Sequence, residues 1–147
     1  MLFRSIEHAV SRKAIVINRE QIETVQLLPD RGVWMKVLIS GNTPSTSSFM
    51  GYIWIDPGCA SPRKPLFVEH DVEEVYYVIS GRAEAVYEDG TENLLGPGST
   101  VLHPPGLKHR LENRFDEPFC FLFFYPKANA GEITDEKARR DRIKDSR

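Results

Sequence analysis

The amino-acid sequence predicts an all-β domain of the sandwich or barrel type, and three observations carry this prediction. The apolar stretches are short, rich in β-branched and aromatic residues, and separated by turn residues. Residues 82–88 alternate apolar Ala83, Ala85 and Tyr87 with charged residues, which is typical of a strand with one buried face. The chain has 147 residues, about the length of one domain, and can bury a core without disulfides.

Ten segments have the length and composition of strands. They are 13–18, 33–40, 49–56, 66–70, 74–80, 82–88, 92–95, 99–103, 108–113 and 118–125. Asp89-Gly90 predicts a two-residue type I′ hairpin, a turn whose two central residues both need positive φ. Pro57-Gly58 and Gly96-Pro97-Gly98 predict two further reversals. The run 119–125 is apolar on both faces, so we expect it to be covered on both sides.

The ends of the chain differ from its middle. Residues 5–12 are predicted to form a short helix, and Thr134 is the predicted N-cap of a charged C-terminal helix. The chain therefore divides into three predicted parts. These are an N-terminal segment 1–31, which contains strand 13–18, a barrel domain 32–126 and a helical tail 127–147.

The composition argues against several classes of protein. A net charge of -2 provides no basic field for nucleic acid or an anionic membrane. No apolar run approaches the roughly 20 residues of a membrane span, and none near the start resembles a signal peptide, so we expect a cytoplasmic protein. Cys59 and Cys120 do not have CxxC spacing, and we expect two free thiols.

The densest motif lies at residues 98–113. Gly98, Pro104, Gly106, His109 and Asn113 follow the pattern G-x5-P-x-G-x2-H-x3-N. The glycines permit tight turns, and the proline rigidifies the corner between two strands. The histidine then begins a strand and can point into a barrel. This pattern resembles the second motif of the cupin superfamily at every fixed position.

The first cupin motif, G-x5-H-x-H-x3,4-E-x6-G, is only partly present. His70, Glu74 and Gly81 give its H-x3-E-x6-G part. Val68 stands two residues upstream, where the family has its first histidine. The segment before it is longer than the family's and contains two prolines, which predicts an enlarged, stiff loop.

The resemblance implies that His70, Glu74 and His109 bind a divalent metal ion. Two imidazoles and one carboxylate suit Fe(II), and Zn²⁺ with three protein ligands is also permitted, so the ion stays open among Zn, Fe, Mn, Ni and Co. The alternative is that Val68 marks a site that has lost its metal. Glu69 is a weak candidate ligand, because strand alternation places it on the opposite face from His70.

Two further side chains are candidates for the site. Tyr76 shares the face of Glu74 and is either a catalytic phenol that transfers a proton or a packed aromatic. His103, just before Pro104, either lines the mouth of the barrel, replaces the missing ligand or is structural. We expect a hydrogen-bonded structural histidine.

Within the cupins the chain resembles two groups of enzymes. The segment 36–52, with its FMG sequence, and the PPG-x-x-H segment resemble small tetracenomycin-type polyketide cyclases over roughly residues 32–126. The layout is also similar to cupin-type dimethylsulfoniopropionate lyases. In those enzymes the tyrosine two residues after the metal-binding glutamate acts as a base, and Tyr76 occupies that place.

The resemblance implies a single-domain cupin, a double-stranded β-helix or jelly-roll barrel, here with short terminal helices. It implies a small-molecule substrate and a metal that acts as a Lewis acid in cyclase, lyase or isomerase chemistry. An Fe(II)-dependent dioxygenase and a non-catalytic small-molecule-binding module are the alternatives. It also implies a homodimer, in which strand 13–18 can cross to the neighbour's sheet.

Overall fold

The computed structural model describes residues 13–27 and 30–128. This part of the chain contains one short 3-10 helix, Arg19–Gln21, and ten strands. The strands are β1 (Val25–Gln26), β2 (Val33–Ile39), β3 (Phe49–Ile55), β4 (Ala60–Ser61), β5 (Glu74–Ser80), β6 (Ala83–Tyr87), β7 (Glu92–Leu95), β8 (Thr100–His103), β9 (His109–Glu112) and β10 (Phe119–Tyr125). Among the described residues, no helix is long and apolar enough to span a membrane.

The strands form two antiparallel sheets that enclose one core. The larger sheet has the order β1-β2-β3-β10-β5-β8, and the smaller one has the order β4-β9-β6-β7. Buried apolar side chains from both sheets meet between them, among them Val33, Ile55, Val78, Ala85, Leu111 and Phe121. The fold is therefore the all-β jelly-roll that the sequence predicts.

Strand β10 shows how the burial pattern differs from expectation. Phe119, Phe121, Phe123 and Tyr125 point inward and are at most 4% exposed. On the outer face, however, Phe124 is 36% exposed. The expectation that this run is covered on both sides is wrong for a single chain, because β10 lies in the middle of a sheet with only one buried face.

Two of the predicted strands are absent from the single chain. Residues 13–18 form no strand, and the segment 66–70 contributes only an isolated bridge between Val68 and His109. Pro62 and Pro65 lack backbone N–H groups and interrupt the ladder before the bridge. Strands β1 and β4 have two residues each, which is too short to give a periodic signal.

The connection between β6 and β7 is a hairpin of another type than predicted. Gly90 has φ 86°, but no residue other than glycine has positive φ in the described part of the chain, so the turn is not type I′. The Asp89 carboxylate instead accepts hydrogen bonds from the Thr91 backbone N–H (2.9 Å) and hydroxyl (2.7 Å). This Asx-type arrangement stabilises a longer loop that needs positive φ at the glycine alone.

The predicted helices at 5–12 and from Thr134 onward lie outside the described residues. The division into 1–31, 32–126 and 127–147 therefore stays a prediction. Cys59 and Cys120 are free thiols in the structure.

Candidate metal centre

His70, Glu74 and His109 come together at one end of the barrel interior. Glu74 begins β5, His109 begins β9, and His70 lies in the loop before β5. Each offers one ligand atom, and these atoms lie within 4.8 Å of one another. The carboxylate stands between the two imidazoles. Its Oε1 is 3.0 Å from His109 Nε2, and its Oε2 is 3.4 Å from His70 Nε2.

The orientation of His109 shows that this donor set fits a cation. Its Nδ1 lies 2.8 Å from the backbone oxygen of Leu107, which can only accept, so Nδ1 carries the proton and donates. In the neutral imidazole Nε2 is then an acceptor, and it faces an oxygen of Glu74 at 3.0 Å. Two acceptors at this distance need a positive charge between them, either a proton or a metal ion.

A hydrogen bond between two loops holds His70 against the rest of the site. The Gly106 N–H donates to the His70 backbone oxygen (2.8 Å). Gly106 occupies the third position of a turn closed by the Leu107 N–H and the Pro104 oxygen (3.2 Å), and its φ of 79° favours glycine. The second motif therefore positions the histidine of the first motif as well as its own.

Two tyrosine hydroxyls face the two imidazoles. Tyr76 OH is 3.2 Å from His109 Nε2, and Tyr125 OH is 3.0 Å from His70 Nε2. Tyr76 shares the inner face of β5 with Glu74, as the sequence predicts. Tyr125 was not predicted. Its signal is that the inward positions of β10 read Phe119, Phe121, Phe123 and then tyrosine.

His103 lies in the same cluster but differs from our expectation. It pairs with Glu74 in the β5–β8 register, and its ring stacks on that of His109 with centroids 4.0 Å apart. It is 2% exposed, and neither ring nitrogen has a hydrogen-bond partner among the described residues. Its Nδ1 is 3.7 Å from Glu74 Oε1, beyond hydrogen-bonding distance. The prediction of a hydrogen-bonded histidine is wrong for the described residues, because aromatic rings pack around the imidazole and its ion-pair partner Glu74 lies at 3.7 Å.

Burial and the neighbouring groups change the ionisation of the site. Burial disfavours the charged carboxylate of Glu74, but the imidazoles of His103 and His109 outweigh it and hold the pKa of Glu74 well below its usual range. Burial lowers the pKa of His70 against the opposing charge of Glu74. Burial, reinforced by the charge of Glu74, raises the pKa of both Tyr76 and Tyr125. The arrangement therefore favours an ionised carboxylate, a neutral His70 and protonated phenols.

Val68 lies where the sequence places the missing histidine. Its backbone N–H and C=O exchange hydrogen bonds of 2.9 Å with those of His109. Residues paired in this way have side chains on the same face, so Val68 lies beside His109 on the interior side. Glu69 is exposed and does not belong to the group of converging ligand atoms.

An open pocket of about 380 Å³ lies at this end of the barrel. It is lined by Tyr87, Glu88, Asp89, Gly106, Leu107 and Lys108. Tyr87 pairs with His109 in the β6–β9 register, and Leu107 accepts the hydrogen bond of His109. The pocket therefore lies beside the strand and the turn that position His109.

An antiparallel jelly-roll with two imidazoles and a carboxylate converging inside one end defines a class of small β-barrels with a group that could hold a metal ion. The chain belongs to the cupin superfamily, since the cupin domain family matches residues 52–125. The polyketide cyclase RemF from Streptomyces resistomycificus has a similar structure, with a TM-score of 0.68 over 78% of this chain and 80% of that one. At 18% identity this similarity shows the fold alone.

Three curated proteins, one lyase and two isomerases, match part of the sequence. The dimethylsulfoniopropionate lyase DddQ of Ruegeria pomeroyi is 37% identical over 59 residues, which cover 40% of this chain and 29% of the lyase. Its structure superposes with a TM-score of 0.59 and 25% identity over 71% of this chain and 56% of that one. A glucose-6-phosphate isomerase of Thermococcus onnurineus is 40% identical over 65 residues, 42% of this chain and 34% of the isomerase. The chain thus spans about a third of the curated relatives that it matches.

Proposed function

We propose that this cupin is an enzyme that depends on one divalent metal ion and acts on a small organic substrate by cyclase, lyase or isomerase chemistry. The observation that carries the proposal is the convergence of ligand atoms from His70, Glu74 and His109 within 4.8 Å. The names of the similar proteins, a cyclase, a lyase and isomerases, support the same range of reactions.

Each side chain of the centre has a defined task in this proposal. A bound cation would supply Lewis acidity to a carbonyl or carboxylate of the substrate. Glu74 contributes the negative charge that holds the cation, and the Leu107 oxygen fixes His109 with Nε2 turned inward. Tyr76 is the catalytic residue that moves the proton, since its hydroxyl lies 3.2 Å from His109 Nε2 and therefore beside the reacting atoms.

Metal content is the decisive measurement. The purified full chain, loaded separately with Zn, Mn, Fe, Ni or Co and then desalted, should retain about one equivalent of one of them. His109→Gln should retain much less, and Asp71→Asn, which changes a carboxylate outside the cluster, should behave like the wild type. Retention below a tenth of an equivalent by the wild type, with a melting temperature unaffected by EDTA, would overturn the proposal in favour of a non-catalytic pocket.

The absence of a histidine at position 68 allows a test in which metal binding should become tighter rather than weaker. Because its backbone is paired with His109, Val68→His adds a third imidazole on the same face of the site. We expect metal affinity to rise by about 10-fold or more, measured by competition with a chelator. Val72→His, at a partly buried position outside the ligand group, is the control. Equal affinity in wild type and Val68→His would count against the placement of residue 68 in the site.

The donor set itself favours a second candidate function. Two histidines and one carboxylate with open positions suit Fe(II) and oxygen chemistry, so an Fe(II)-dependent dioxygenase uses the same residues. A preference for Zn²⁺, with no O₂ uptake across a panel of small acids, ketones and phenols, would exclude this candidate.

We also propose that the chain is a homodimer in which the larger sheet's outer face is covered by a second copy. This face carries exposed or half-buried apolar side chains, with Tyr77 51%, Leu102 58%, Ile79 41% and Phe124 36% exposed. The segment 13–18, which forms no strand in the single chain, adds Ile15 and Val16, 48% and 89% exposed, and supplies the exchanged strand in this proposal.

Light scattering tests the assembly. We expect a dimer mass for the wild type and a monomer mass for Tyr77→Lys, while Leu94→Lys on the other sheet's outer face leaves the dimer intact. A monomer mass for the wild type would refute the assembly without bearing on the metal centre. The cytoplasmic location stays a prediction.

A further inference from the structure

The last inward side chain of β10 differs from the three before it by a single hydroxyl. The alternating positions Phe119, Phe121, Phe123 and Tyr125 all point into the barrel, and the tyrosine is 3% exposed. A phenylalanine there would continue the row and fill the same space. The hydroxyl therefore adds little to packing, and it lies at the end of the row where the imidazoles are.

The ring of Tyr125 is held in place by its neighbours. Its centroid is 5.8 Å from that of Phe49, 5.4 Å from that of Phe123 and 4.8 Å from that of His70. These contacts come from two strands and a loop, so the hydroxyl can rotate but cannot move far from its position 3.0 Å from His70 Nε2.

A cation on His70 takes away the acceptor of this hydroxyl. An imidazole nitrogen has one lone pair, so Nε2 cannot both bind a cation and accept a hydrogen bond. The buried hydroxyl must then donate to another oxygen nearby. The carboxylate of Glu74 is one such acceptor, since it already interacts with the Tyr125 hydroxyl. Its Oε2 lies 3.4 Å from the same Nε2, and binding a cation there withdraws negative charge from it. An anionic oxygen of a bound substrate is then the stronger acceptor at this position.

We propose that Tyr125 binds the substrate, with its hydroxyl donating a hydrogen bond to a carboxylate, enolate or hydroxamate-type oxygen on the His70 side of the centre. This inference rests on the proposed metal centre. It makes the site selective for substrates that present an oxygen with a free lone pair beside the cation. Ligands that bind through a nitrogen and leave no acceptor there gain nothing from Tyr125.

Two probe ligands on the Co(II)-loaded full chain test the inference. Acetohydroxamate presents anionic oxygens, whereas neutral imidazole, once bound through one nitrogen, offers only an N–H donor. The visible absorption of Co(II) reports the binding of each. For Tyr125→Phe we expect acetohydroxamate affinity to fall by about 10-fold or more, as for a charge-assisted hydrogen bond, with little change for imidazole.

The matched control is Tyr77→Phe, which removes a hydroxyl from the outer face of β5. It should leave both affinities unchanged. If Tyr125→Phe and wild type bind acetohydroxamate equally, or if both probes weaken in parallel, Tyr125 only orients His70 and the inference is overturned. If the wild type binds no Co(II), the metal centre fails and Tyr125 loses its proposed role with it.

Discussion

The two ends of the barrel interior are built from the same strands but have opposite chemistry. At one end β5, β9 and β10 contribute Val78, Leu111 and Phe119, all at most 2% exposed. At the other end the same three strands contribute Glu74, His109 and Tyr125, which are equally enclosed. Each strand therefore changes between apolar and polar side chains along its inner face, within two to six residues.

This difference teaches where stability and chemistry are located. We call the end lined by Val78, Leu111 and Phe119 the closed end, and the end lined by Glu74, His109 and Tyr125 the polar end. Burial of apolar side chains stabilises the closed end, as in any core. At the polar end, burial removes water from charged and hydrogen-bonding groups, a cost that only internal partners or a ligand can offset. We therefore expect changes at the closed end to act on folding alone, and changes at the polar end to act on binding and on how stability depends on pH.

The largest expected effect is a loss of stability from the closed end. Phe119→Ala removes a fully buried ring whose centroid lies 5.2 Å from that of the Phe121 ring. It should lower the free energy of unfolding by about 3–5 kcal/mol. Leu94→Ala, at a position 60% exposed, should change it by no more than about 0.5 kcal/mol. Urea unfolding of the metal-free proteins measures both. Similar losses for the two variants would contradict the division between core and surface.

Acidification should lower the free energy of unfolding through the titrating groups of the polar end. The pKa values of both Glu74 and His70 are lowered by folding, so the unfolded chain binds these protons first and stability falls as the pH falls. His70 contributes as the pH drops below its usual value of 6.5, and Glu74 as it drops below 4.5. We expect a loss of at least about 1 kcal/mol between pH 7 and pH 4 in EDTA.

Substitutions assign this loss to the site. Glu74→Gln should flatten the acidic part of the profile, whereas Glu88→Gln, at an exposed carboxylate, should retain the wild-type slope. A Glu74→Gln profile parallel to that of the wild type at every pH would rule out Glu74 as the source.

The smallest expected effect is a change in the free energy of unfolding whose sign differs between the two ends of the barrel. His103→Leu replaces a buried ring whose nitrogens have no hydrogen-bond partner among the described residues. The lost interaction with Glu74 offsets part of the gain, so metal-free stability should rise by less than about 1 kcal/mol. The reciprocal change Val78→Thr puts a hydroxyl into the closed end and should lower stability by about 1–2 kcal/mol. Denaturant midpoints measure the stability of both variants. If both were more stable, or both less stable, than the wild type, the distinction between the two ends would be wrong.

The sequence predicts the fold well because its signals are local. Alternation places Ala83 and Ala85 inside, and the second motif predicts the turn before β9 from proline and glycine positions. Asn113, its last residue, donates side-chain hydrogen bonds to the oxygens of Ile55 and Glu117 (2.9 and 2.7 Å), which closes the far end of the same strand. Strands β1 and β4 were missed because two residues give no periodic signal. The predicted strands 13–18 and 66–70 are absent because strand pairing depends on partners that are distant in the sequence.

The site is predicted only where a motif reports it. The resemblance to the cupin motifs implies that His70, Glu74 and His109 come together, and strand alternation adds Tyr76. Tyr125 is 55 residues from His70 in sequence, and their contact depends on the packing of β10 beside β5. The unpartnered nitrogens of His103 are likewise a property of its surroundings, which no spacing encodes.

At Val68 the main chain makes the strand pairing, whereas the side chain affects only the chemistry of the site. Its two hydrogen bonds to His109 are made by the main chain, so the architecture there does not depend on which side chain occupies the position. Valine and histidine are interchangeable as far as the strand pairing is concerned, although they differ in the number of nitrogen donors offered to the interior. Position 68 can therefore change during evolution, or in an engineered library, independently of the scaffold, and so vary the reactivity of the site while the barrel stays the same.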